Sequence, residues 1–160
     1  MAARFADADI DEFYWVNDER LVFHVTDHTR GGGDQRLWPG LFSVRRDGTG
    51  QRMLVRTRPR AEISDERWVG AEPLAPDHVL LHVPVDGGGE VIVGQYQTTQ
   101  TREPATLVAK RLNIETGRTR NLSDGIPPHV RRWWFTPQGQ PRALMTLMAR
   151  CIGRLRWEQK

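Results

Sequence analysis

At 160 residues, with 38% hydrophobic and 27% charged side chains, the chain is the size of one domain and long enough to bury a core. No apolar run approaches the ~18 residues of a membrane-spanning helix, and the N-terminus turns acidic at Asp7 where an export signal needs an apolar stretch, so neither is expected. The formal charge is only +3 and arginines are interspersed with acids, so the basic balance does not mark a nucleic-acid binder.

Fifteen Gly and ten Pro cut the apolar stretches short, which favours many short strands over a few long helices. Residues 10–16 read as a strand, Asn17-Asp18-Glu19 as a tight turn and residues 20–26 as the returning strand, with Leu21, Phe23 and Val25 sharing a face. Residues 27–39, holding Gly31, Gly32 and Gly33, keep neither period and read as a loop. Residues 40–46 form a third strand, Asp47-Gly48-Thr49-Gly50 a hairpin turn suited to positive φ, and residues 51–56 a fourth strand. Four antiparallel strands joined by short turns make a meander, the topology of one propeller blade.

After Arg58-Pro59-Arg60 comes a weak strand near residues 68–74, then a clear one at 78–85. There Val79, Leu81, Val83 and Val85 alternate with Leu80 and two histidines. Residues 86–104, rich in Gly, Gln and Thr, read as a long connection with a hairpin arm at Val91-Ile92-Val93. Residues 106–114, the turn Glu115-Thr116-Gly117 and residues 118–122 repeat the third and fourth strands of the first unit. Residues 130–135, Pro137-Gln138-Gly139 and residues 142–147 open a third unit, while residues 148–160 do not continue the pattern cleanly and suit a strand and a frayed helical turn equally, read together as an irregular tail. Trp134 through Leu144 restates the aromatic–turn–aliphatic order of Trp15 through Phe23. The fold class expected is all-β: an incomplete β-propeller of antiparallel four-stranded meander blades. Its divisions are 9–57, 62–125 with the inserted loop 86–104, and 128–160 as a partial blade with an irregular tail.

Few side chains invite chemistry. His78 and His82 stand four apart on a strand, roughly 13 Å along one face, too far to share a metal. His24 and His28 flank Asp27 at a strand end and read as loop-edge histidines. Gly31–Gly33 and Gly87–Gly89 lack the phosphate-loop fingerprints and read as connections between strands. Arg131-Arg132-Trp133-Trp134 mixes cations and aromatics as single-strand nucleic-acid platforms do, but neighbours on a strand alternate faces, so blade packing explains the tryptophans better. The carboxylate pairs Asp9/Asp11 and Asp65/Glu66 fall at turns and strand ends, with nothing to bring them onto one substrate. Cys151 is the only cysteine and reads as a small buried hydrophobe. No catalytic, cofactor-binding or metal-ligating residue is expected.

The segment from Trp15 to Phe23, the Leu-Phe-x-Val-x-Arg-Asp-Gly run from Leu41 to Gly48, Asp77-His78-Val79-Leu80 and the Thr116-Gly117 turn before Arg118 resemble the N-terminal β-propeller of the prolyl oligopeptidase family of serine peptidases, over roughly residues 9–147. The resemblance implies a propeller that caps a separate α/β-hydrolase domain and restricts access to it. None of Ser43, Ser64 and Ser123 sits in a Gly-x-Ser-x-Gly elbow, so no catalytic residue carries over and the chain is expected to be no enzyme by itself. The expectation is a non-catalytic propeller segment, a piece of a larger peptidase-like protein, that gates peptide access. Its partners would be peptide or the hydrolase domain, with self-association through open blade edges. The alternative is a stand-alone β-rich peptide- or protein-binding module whose contact loop is 86–104. Compartment is not legible.

Overall fold

A computed structural model of the chain describes residues 9–26, 40–57, 71–98, 104–148 and 151–156. Among them there are eleven strands and no helix, hence no helix long and apolar enough to cross a membrane. The expected loop at Gly31–Gly33, the Arg58-Pro59-Arg60 link, the beginning of the weak strand at Trp68, the Asp65/Glu66 pair, His28 and Ser64 lie outside the described residues.

The strands form three antiparallel meanders. Sheet 1 has the order β1 (Asp9–Trp15), β2 (Arg20–Thr26), β3 (Leu41–Arg45), β4 (Arg52–Val55). Sheet 2 runs β5 (His78–His82), β6 (Glu90–Thr98), β7 (Pro104–Asn113), β8 (Thr119–Asn121). Sheet 3 holds β9 (Val130–Phe135), β10 (Pro141–Met148) and β11 (Cys151–Arg156), with β10 in the middle. In each sheet chain order is spatial order, and three of the connecting turns are set by a single Asn or Asp side chain. In the β1–β2 turn Asn17 Oδ1 accepts from the amides of Glu19 (3.0 Å) and Arg20 (2.9 Å). In the β3–β4 turn Asp47 Oδ1 accepts from the Thr49 amide at 2.8 Å while Gly48 takes φ 84°. Asn113 plays the Asn17 part in the β7–β8 turn, accepting from the Glu115 and Thr116 amides at 3.0 and 2.8 Å.

Sheet 2 lies between the other two. Val91, Ile92 and Val93 of β6 are all fully buried, Val91 and Val93 in one core and Ile92 in another. The first core joins Val16, Val22, Leu41, Leu54 and Val55 of the sheet 1 region to Val91, Val93, Leu112 and Ile114. The second joins Ile92, Leu107 and Ala109 to Val130, Trp133 and Leu144 of sheet 3. The other face of sheet 1 carries a third cluster: Leu21, Phe23, Val25, Phe42 and Val44, with Phe23 and Phe42 stacked at 5.6 Å.

Three features differ from the sequence reading. Residues 86–104 are not a long loop: β6 runs through them and pairs with both β5 and β7. Its glycine has a packing reason, since a Cβ at Gly94 would stand 2.8 Å from Leu81 and Leu107 methyls, so the residue marks a close approach of side chains. Residues 151–156 are not an irregular tail but β11, paired antiparallel with β10 from Met148↔Cys151 to Ala143↔Arg156. His78 and His82 do not share a face. The register slips between Leu80↔Val93 and His82↔Ile92, so two residues of β5 span one step of β6. His82 therefore falls on the sheet 3 side and Val83 on the sheet 1 side.

Candidate functional site

A cleft of about 280 Å³ opens between the first strands of sheets 1 and 2, lined by Glu12, Tyr14 and His24 on one side and residues 80–83 on the other. A second bulge builds its first wall. β1 passes from Ile10↔Val25 to Phe13↔Phe23, so Asp11 and Glu12 together oppose His24. Glu12 and Tyr14 then alternate with Phe13 and Trp15, and the Tyr14 hydroxyl donates to Glu12 Oε2 at 2.9 Å. That bond to a carboxylate, with slight burial and the Glu12 charge, raises the Tyr14 pKa above its ordinary value.

The two histidines of the cleft are both held by backbone carbonyls. His24 Nδ1 stands 2.6 Å from the Gly40 carbonyl. A carbonyl only accepts, so Nδ1 carries the hydrogen and the neutral ring presents Nε2 as a lone pair. Gly40 has φ 64° and a Cβ there would meet Thr57 Cγ2 at 2.5 Å, so only glycine delivers this carbonyl. His82 Nε2 stands 3.3 Å from the Pro137 carbonyl, which leaves Nδ1 as its lone pair. Its ring stacks on Phe135 at 5.7 Å, and Phe135 stacks on Trp133 at 5.9 Å.

A closed polar ring lies on the sheet 1 side of sheet 2. His78 is 5% exposed. Its Nδ1 donates to Asp77 Oδ1 (2.7 Å) and the Ala75 carbonyl (3.0 Å). Its Nε2 accepts from Lys110 Nζ at 3.3 Å. Lys110 also donates to Gln95 Oε1 at 2.7 Å, and Gln95 Nε2 donates to Asp77 Oδ2 at 2.9 Å, closing the circuit. Burial lowers the His78 pKa; the Asp77 charge opposes this and the Lys110 charge adds to it. The lone pair that a general base needs is spent on Lys110, so the ring locks β5, β6 and β7 together and offers nothing to a substrate.

The remaining flagged residues separate. Trp133 is buried and its Nε1 donates to the Leu107 carbonyl at 2.8 Å. Trp134 is exposed with the Arg132 guanidinium 5.4 Å from its ring, so one Arg and one Trp share a surface and Trp133 packs. Gly87–Gly89 form the β5–β6 turn, where the Gly88 amide donates to Asp86 Oδ1 at 2.9 Å. Buried Ser43 Oγ donates to the Ile114 carbonyl at 3.5 Å and half-buried Ser123 Oγ to the Ala109 carbonyl at 3.2 Å. Among the described residues no three His, Cys, Asp or Glu side chains stand close enough to hold a metal ion. Sequence reasoning missed Glu12, Tyr14, Gln95 and Lys110; the i, i+2 spacing of Glu12 and Tyr14 was the available signal for the cleft.

Comparison with protein-family models, with curated proteins and with solved structures finds no match to this chain.

Proposed function

We propose that the three sheets are successive blades of a β-propeller, and that the chain is a non-catalytic propeller segment of a prolyl-oligopeptidase-like peptidase that shapes peptide access to a hydrolase domain. One observation carries this reading: equivalent turns of successive meanders are stapled in series. Asn17 Nδ2 in the β1–β2 turn donates to the Gly88 carbonyl in the β5–β6 turn at 3.0 Å. In that second turn the Val85 amide donates to the Pro137 carbonyl of the β9–β10 turn at 2.8 Å. Like ends of three meanders thus follow one another, as blades do around an axis.

Exposed apolar groups on the first and last sheets are further support. Phe13 and Trp15 of β1 are 61% and 54% exposed, and Trp134 and Leu147 of sheet 3 are 43% and 49% exposed. Such groups suit packing against a further sheet, the hydrolase domain or another copy. A stand-alone peptide-binding module is the second reading, favoured by the cleft between β1, β2 and β5; the contact surface would then be that cleft and not residues 86–104.

The test is reconstitution with a prolyl-oligopeptidase hydrolase domain stripped of its propeller. The chain alone should cleave nothing. Added in equimolar amount, it should associate and slow cleavage of a folded protein more than cleavage of a short proline peptide. Absence of association, or equal slowing of both substrates, sinks the gating role.

A further inference from the structure

We infer that the cleft between β1, β2 and β5 binds a guanidinium group on an apolar stem. This rests on the cleft's own side chains and holds whether or not the sheets belong to a propeller. Glu12, Tyr14 and His24 share the face of sheet 1 that carries Val22 toward sheet 2, and each offers an acceptor there. Glu12 is a carboxylate with one oxygen already taking the Tyr14 hydroxyl hydrogen, which leaves lone pairs on Oε1 and on the phenol. The carbonyl of Gly40 fixes the hydrogen of His24 on Nδ1, and that of Pro137 fixes the hydrogen of His82 on Nε2. With its Nδ1 hydrogen engaged, His24 has Nε2 left as the acceptor for a ligand, and no Lys or Arg lines the cleft. A ligand that satisfies these groups must bring N–H donors and positive charge.

The dispersal of the acceptors narrows the class. Glu12, His24 and His82 do not converge closely enough to form a metal site. A compact ion cannot bridge them, whereas a planar guanidinium spreads five N–H donors in a fixed fork. Leu80, Leu81 and Val83, with the Tyr14 ring, supply an apolar wall for an aliphatic stem. Such a cation comes from an arginine side chain of a peptide or from a free alkylguanidine. Glu12 is exposed, so affinity on the order of millimolar is expected.

The experiment is a titration of the whole chain, followed by amide shifts and calorimetry, with Nα-acetylarginine methylamide, its neutral isostere Nα-acetylcitrulline methylamide, and butylguanidinium. The arginine compound should bind, with the largest shifts at Glu12, Tyr14 and His24. The citrulline compound should bind at least about tenfold more weakly, and Glu12→Gln should lower the arginine affinity by a similar factor. Butylguanidinium binding as tightly as the arginine compound identifies a free cation as sufficient; binding about tenfold weaker identifies a peptide source. Equal binding of arginine and citrulline compounds, an unchanged Glu12→Gln affinity, shifts mapping elsewhere, or no binding at tens of millimolar overturns the inference.

Discussion

The apolar cluster between sheets 1 and 2 is built of Val, Leu and Ile, whereas the one between sheets 2 and 3 centres on Trp133, with Phe135 and His82 stacked beside it. Their edges differ too. At the first, Arg20 Nε meets Glu115 Oε1 at 3.1 Å and Arg52 donates to the Glu115 and Thr116 carbonyls of the β7–β8 turn. At the second, Arg111 reaches the Gln138 and Gly139 carbonyls of the β9–β10 turn at 3.1 and 3.2 Å. Sheets 1 and 2 thus each hold a turn of the following sheet by arginine, but the first seam shares its burial among many small groups and the second depends on one large one. Tolerance to substitution should follow that difference.

The largest effect falls on the aromatic seam. Trp133→Ala removes the buried indole and leaves the Leu107 carbonyl without its donor, so urea denaturation should show a loss of about 3–5 kcal/mol. A loss below about 1 kcal/mol would mean that the seam re-closes around the gap. Acid probes the sheet both seams share. The folded-state pKa of His78 lies below its unfolded value of 6.5, chiefly because of burial. The unfolded chain takes the proton first, so this contribution is complete above that value and is lost as pH falls through it toward the folded pKa. Thermal melts from pH 8 to pH 5 should show the decline in the native chain and a flatter profile in His78→Gln. The smallest effect is at the first seam's edge. Glu115 is 61% exposed, so solvent screens its pair with Arg20, and Glu115→Gln should cost about 0.5 kcal/mol, vanishing in high salt.

The first two turns were legible because single residues specify them: Asn17 and Asp47 each accept backbone amides as their residue types suggest, and Asn113, read as part of a strand, does the same in the β7–β8 turn. The meander strands followed from those turns. β6 was not legible, because a strand buried on both faces loses its alternation, and Gly94 with the Gln and Thr residues after it imitates a loop. The opposed faces of His78 and His82 were hidden by a bulge, which the period-2 rule cannot register. The cleft escaped for a different reason. Its walls are 56 or more residues apart in sequence, from His24 to Leu80, and meet only when one sheet stacks on another.

The burial of β6 from both sides bears on time as well as stability. Most pairing in a meander is between neighbours in sequence, so each hairpin can close early at small entropic cost. Val91, Ile92 and Val93 are shielded only after both flanking sheets have docked. Their amide hydrogens should accordingly report the whole stack, exchanging with solvent only through its global opening, while the strands at the outer edges should exchange through smaller, local ones.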